Sequence, residues 1–142
     1  MITVPINGQG GTISIDVMSY ENPTAKDTSD ANWLSSRIEV TAGPFSGRFN
    51  ATLTTQDFVC FRDEMEALLN QLKGKATFQT DEDWLGFHIE MQTRGTAKVT
   101  GIAKVHGEPK ASLSFAFETD QSLLAQTKSA LDAVVEKFPI KL

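Results

Sequence analysis

The heptapeptide Trp33-Leu34-Ser35-Ser36-Arg37-Ile38-Glu39 returns fifty-one residues later as Trp84-Leu85-Gly86-Phe87-His88-Ile89-Glu90, both reading W-L-x-x-x-I-E. Each copy leads into alternating apolar and polar residues, then a Thr/Asp-rich junction, then one amphipathic helical stretch. Two such passages point to two similar halves, strands first and helix second, with Trp and Glu at matched places. That order belongs to the α+β class.

The strand and helix signals fit this plan. Residues 2–6 and 12–18 read as short strands around Asn7-Gly8-Gln9-Gly10-Gly11, with Ile13, Ile15 and Val17 on one face. Residues 19–32 are polar and form a long loop, whose length of about fourteen residues suggests a role. Strands follow at 33–41 and 45–53 around Gly43-Pro44. Thr54-Thr55-Gln56-Asp57 then caps a helix whose stripe is Phe58, Phe61, Met65, Leu68, Leu69 and Leu72, stopped by Gly74. The second half gives strands at 75–80, 84–91, 96–105 and 111–118. Thr119 or Asp120 caps a last helix with Leu123/Leu124, Thr127, Leu131, Val134/Val135 and Phe138 on its stripe. Its extra length after the tryptophan, about thirteen residues, reads as an added hairpin. The expected architecture is an antiparallel meander sheet of about seven strands, with two helices packed on one face.

One domain over residues 1–142 is long enough to bury roughly two thirds of its unfolded surface. Apolar content of 40% and charged content of 22% describe an ordinary globular chain rather than a disordered one. The net charge of −5 argues against nucleic acid as main partner, because phosphate binding depends on Lys and Arg. A single Cys60 excludes an internal disulfide. No basic leader, and no apolar run long enough for a membrane helix, is visible, so a cytoplasmic protein without membrane association is expected.

Helices on one sheet face leave the other to solvent. Alternation assigns Leu34, Ile38, Val40, Phe45, Phe49, Ala51, Leu53, Leu85, Phe87, Ile89, Leu113, Phe115 and Phe117 to the core side. The opposite set is rich in Ser, Thr and charge, and it holds Trp33, Arg37, Glu39, Trp84, His88 and Glu90. Each tryptophan can simply start a strand and cover its neighbours. Exposed Trp and Arg are also the residues that anchor interfaces. With Asp30, Asp81 and Asp83 from the flanking loops, these nine residues are the candidate contact site. Replacing either tryptophan is then expected to weaken partner binding more than stability.

Signals for catalysis are poor. His88 and His106 lie on different elements. Gly43-Pro44-Phe45-Ser46-Gly47 has the wrong spacing for a nucleophile elbow and sits between strands. Gly8-Gln9-Gly10-Gly11 lacks the Lys-Ser/Thr of a phosphate loop. One cysteine and two histidines do not make a usual zinc site, and Asp81-Glu82-Asp83 lacks calcium-loop spacing. No enzyme and no cofactor is expected.

A resemblance adds to this reading. Tyr20-Glu21-Asn22-Pro23, Asp30-Ala31-Asn32-Trp33-Leu34 and Gly43-Pro44-Phe45-Ser46-Gly47-Arg48-Phe49 come first, followed by the Thr54/Thr55 to Leu68 helix, Trp84-Leu85 and a terminal Phe138-Pro139. In that order they resemble the WapI family of bacterial immunity proteins. The resemblance covers the chain from about residue 12, with a departure at Asp27-Thr28-Ser29, where relatives often carry an aromatic. It implies a cytoplasmic protein that binds and blocks the C-terminal domain of a polymorphic toxin, with no catalytic residues to carry over. The acidic balance suits a basic toxin, steered by Asp27, Asp30, Glu39, Asp81, Glu82, Asp83 and Glu90. The alternatives are a small-ligand-binding or regulatory domain using the open sheet face, and a self-associating subunit; a monomer or weak homodimer fits all three.

Overall fold

Alternation of buried and exposed residues runs through nearly every strand, and the long strands follow it almost without interruption. Leu34, Ser36, Ile38 and Val40 are buried, while Ser35, Arg37 and Glu39 turn outward. The computed structural model describes residues 1–142. The order is β1 (Ile2–Gly8), β2 (Gly11–Tyr20), α1 (Thr28–Ala31), β3 (Trp33–Ala42), β4 (Phe45–Thr54), α2 (Thr55–Gln71), β5 (Lys75–Gln79), β6 (Leu85–Met91), β7 (Thr96–Val105), β8 (Ala111–Asp120) and α3 (Gln121–Lys137). The fold is α+β, but the sheet is not single. Eight strands form two antiparallel sheets in sequence order, β1-β2-β3-β4 and β5-β6-β7-β8, and α2 carries the chain from one to the other.

The two halves are real, yet the repeated phrase is out of step with them. Its first copy lies on β3, the third strand of its sheet, and its second at the start of β6, the second strand of the other. The residues read as an added hairpin are therefore one strand of a complete ββββα unit. The structural repeat is carried by burial: Phe58, Phe61, Met65 and Leu68 of α2 correspond to Leu124, Thr127, Leu131 and Val134 of α3, each sixty-six residues on.

Both helices start where the sequence places them. Thr54 accepts the Asp57 N–H, and the Asp57 carboxylate accepts the Thr54 N–H, a complete capping box. Asp120 accepts the Leu123 N–H. At the other end of α2 the stripe is one residue shorter than expected. Leu72 is the left-handed C-cap, at φ 54°, and is largely exposed. The expected loop 19–32 is also shorter, since β2 runs to Tyr20 and Asp27 caps the single turn of α1.

Each helix packs on the first strand of the opposite half, and the two helices pack together. Phe58 and Phe61 of α2 meet Phe78 of β5 at ring distances of 5.7 and 5.4 Å. The Thr127 hydroxyl of α3 donates to the Pro5 carbonyl of β1. Meanwhile β8 lies across β1, β2 and β3. There the Gln9 N–H donates to the Glu118 carbonyl at 2.7 Å, and the Thr119 hydroxyl to the Asn7 carbonyl at 2.6 Å. A Cβ on Gly8 would stand 2.1 Å from the Glu118 carbonyl oxygen, so only glycine allows this approach. One cluster of 29 buried apolar residues draws on both halves. The C-terminal tail is pinned to the first half: Tyr20 donates to the Pro139 carbonyl at 2.6 Å, and the Lys141 N–H to Asn32 Oδ1 at 2.7 Å. No helix is long and apolar enough to cross a membrane.

Candidate functional site

Strand register decides which of the nine candidate residues can act together. On the outer face of the first sheet, Thr3, Asp16, Arg37 and Asn50 form one row, and Pro5, Ser14, Glu39 and Arg48 the next. Asp16 accepts the Thr3 hydroxyl at 2.7 Å and faces Arg37 at 3.6 Å. Arg48 and Glu39 stand 3.9 Å apart with both side chains more than half exposed, so that pair stabilises little. Trp33 opens β3 opposite Thr54, and Asp30 lies exposed in α1.

His88 and Glu90 are on a different surface, the outer face of the second sheet. Its rows are Gln79, Gly86, Ile102 and Ser114, then Thr77, His88, Thr100 and Ala116, then Lys75, Glu90, Lys98 and Glu118. Gly86, Ser114, Thr100 and Ala116, the small residues of the first two rows, leave an open hollow of about 660 Å³ between Gln79, Ile102 and His88. At its rim Lys104 donates to Asp83 at 2.8 Å. That hydrogen bond, with the Lys104 charge behind it, holds the Asp83 carboxyl below the usual range. Asp81 faces elsewhere, lining a groove of about 280 Å³ with Asp57 and Glu64. Burial raises the Asp57 pKa, the Asp81 charge raises it further, and the Thr54 hydrogen bonds oppose both.

Trp84 joins the two sheets. Its ring stacks on Phe49 of β4 at 6.1 Å and 27°, and meets His106 edge-to-face at 4.5 Å. Its backbone N–H donates to the Thr80 hydroxyl at 2.9 Å, and its carbonyl accepts the Lys104 N–H at 2.9 Å. The ring packs on the core, yet its indole N–H is buried without a partner. Trp33 and Trp84 thus stand in different settings: one opens a strand of the first sheet, the other wedges between sheets.

Sequence reasoning missed the surface beside this wedge. Phe45, assigned to the core by alternation, is 67% exposed, and Phe49 only half-buried. The parity was right, but the β3–β4 hairpin tip projects past the cover of the second sheet. Val40, Phe45, Gly47 and Phe49 face Ala103, Val105, Ala111 and Leu113 across an apolar groove of about 310 Å³. A neighbouring hollow of about 540 Å³ continues it past Lys104, His106 and Lys110. The only local signal was a large aromatic directly after a Gly-Pro turn. These surfaces offer shape, apolar area and paired charge, which is the chemistry of binding. No three His, Cys, Asp or Glu side chains gather to hold a metal ion.

The sequence model of the immunity protein WapI-like family matches residues 1–139. No curated protein matches the chain.

Proposed function

Since the chain belongs to the immunity protein WapI-like family, we propose that it binds a cognate polymorphic-toxin C-terminal domain and neutralises it by occupancy, without catalysis. The family match over nearly the whole chain carries this reading. Residues 1–142 would act as one binding domain in the cytoplasm, as a monomer or weak homodimer. The net charge of −5 supports a basic toxin, because complementary fields speed encounter and fix orientation. Asp57, Glu64 and Asp81 along one groove, with Glu82 beside them in sequence, add to that field.

We assign the contacts to two separate surfaces: the outer face of the first sheet, with Arg37 and Glu39 and with Trp33 and the α1 residue Asp30 at its margin, and the outer face of the second, with His88, Glu90 and the neighbouring loop that carries Asp81 and Asp83. Co-purification of the tagged chain from its host, followed by co-expression with any toxin C-terminal domain that stays bound, tests the reading. Growth should be rescued and a one-to-one complex should survive purification. Unrescued growth with no complex would refute it. The open 660 Å³ hollow favours a second reading, a polar small ligand on the second sheet; a ligand retained in native mass spectrometry would support that instead.

A further inference from the structure

Four strand edges end the two sheets, and the chain itself covers two of them and one end of a third. At β1, the outward carbonyls of Pro5 and Asn7 accept the Thr127 and Thr119 hydroxyls, and α3 packs alongside. At β5, the Thr77 N–H donates to the Glu64 carboxylate at 3.1 Å, and α2 packs alongside. At β8, the Glu118 carbonyl accepts the Gln9 N–H, which covers that end alone; Ser112, Ser114 and Ala116 pair only with β7, but Phe45 and Gly47, which give the groove its mouth and wall, stand on β4. The fourth edge, β4, is ten residues long and pairs only with β3.

The β4 hydrogen-bonding pattern follows from its turn. Gly43-Pro44 is a two-residue connection, which makes Ala42 and Phe45 the closing hydrogen-bonded pair. Phe45, Gly47, Phe49, Ala51 and Leu53 therefore point their backbone groups at β3. Ser46, Arg48, Asn50 and Thr52 point theirs away from the sheet. Thr54, next in that series, confirms the phase, since its N–H leaves the ladder to meet Asp57. No backbone bond to another element is made by Ser46, Arg48 or Asn50. An uncovered row of this kind is a template for another extended chain.

The apolar groove lies beside this row, with Phe45 at its mouth and Gly47 in its wall. Along the groove and the adjoining hollow the charged lining is Arg48, Lys104 and Lys110 against Asp83, although the chain is net acidic. We propose that the β4 edge receives an extended segment of the partner as a fifth strand of the first sheet. That segment would carry a bulky apolar side chain for the groove and carboxylates beside it. This deepens the immunity reading and rests on it: a toxin of net basic charge would present a local apolar-acidic strand here.

Gly47 supplies the decisive variant, because a Cβ built there meets nothing within 4 Å. Gly47→Val fills the groove without a clash, and Ser46→Pro removes one outward N–H while leaving the β3 ladder intact. The toxin C-terminal domain that co-purifies with the chain is the probe, with affinity by calorimetry and amide exchange by mass spectrometry or NMR. In the wild-type complex, exchange at Ser46, Arg48 and Asn50 should slow. Both variants should keep the wild-type melting temperature within a few degrees yet lose at least about 100-fold in affinity, the scale of a lost hot spot. Binding by wild type and both variants alike, with β4 amides unprotected, would overturn the strand inference and leave the immunity reading standing. No binding by wild type would end both. A free-chain dimer that protects β4 and dissociates in Gly47→Val would assign the edge to a second copy and overturn the proposal.

Discussion

Replacing each tryptophan separately distinguishes the two roles these residues can have. Trp84→Ala removes a ring that packs on the core, stacks on Phe49 and meets His106. A fully buried Trp→Ala costs about 3–5 kcal/mol. Trp84 is half-buried, which lowers that, and the lost indole N–H was buried without a partner, which returns about 1 kcal/mol. The net expectation is a loss of about 2 kcal/mol. For a chain near this size that is roughly 4–8 °C in melting temperature. Trp84→Phe keeps the stack and discards the orphan N–H, so it should fall within about 1 kcal/mol of wild type. Trp33 is not among the residues packed on the core, and Trp33→Ala should cost less than about 1 kcal/mol. Urea titrations of the three variants, with toxin-domain affinity measured on each folded form, supply the comparison. Equal destabilisation by the two alanines would refute the assignment of Trp84 as wedge and Trp33 as surface. Full binding by folded Trp33→Ala would remove Trp33 from the contact region.

Other substitutions probe the joints between halves. Thr127→Val is nearly isosteric but leaves the Pro5 carbonyl without its hydroxyl, and should lose about 1–3 kcal/mol in chemical denaturation; an unchanged midpoint would mean the bond holds nothing. Gly8→Ala forces a methyl onto the Glu118 carbonyl, and should separate β8 from the β1–β2 turn, seen as faster exchange of the Gln9 amide; unaltered exchange and stability would contradict the close approach. For Asp57 the folded pKa is raised, so the fold prefers the protonated acid: stability is greatest below the unfolded carboxylate pKa and declines as pH rises from there through the raised value. Asp57→Asn keeps an acceptor for the Thr54 N–H and removes that decline. Its stability relative to wild type should therefore improve between pH 3 and 7, and a steady worsening over that range would overturn the assignment.

Local structure was legible because local chemistry decides it. Thr54 and Asp57 announce a capping box, Asp120 caps α3, and both apolar stripes mark their buried faces within a residue or two. The repeat was harder to place. A Trp-Leu start followed by alternation suits many strands, so the phrase recurs on β3 and β6 without marking equivalent positions. The actual duplication pairs Phe61 with Thr127 and Met65 with Leu131, positions alike in burial but not in identity. Two sheets instead of one could not be read either, since β4 and β5 are joined through α2 in a way a single meander would also allow. The groove at Phe45 and the uncovered edge of β4 depend on where the second sheet stops, a long-range fact that no window of sequence holds.

The exchange of helices between halves also sets when the protein can become a protein. Until the ribosome has released α3, the β1 edge lacks the helix that packs on it, and until it has released Lys141 Asn32 lacks its bonds to the C-terminal tail. A nascent chain holding only β1 to α2 has a capped helix with no β5 to lie on. Folding should therefore wait for the last few dozen residues, and a chain ending at Asp120 should stay protease-sensitive where the full chain resists; a resistant fragment of that length would show otherwise. A prematurely ended message then yields no partly folded product, only a chain for degradation.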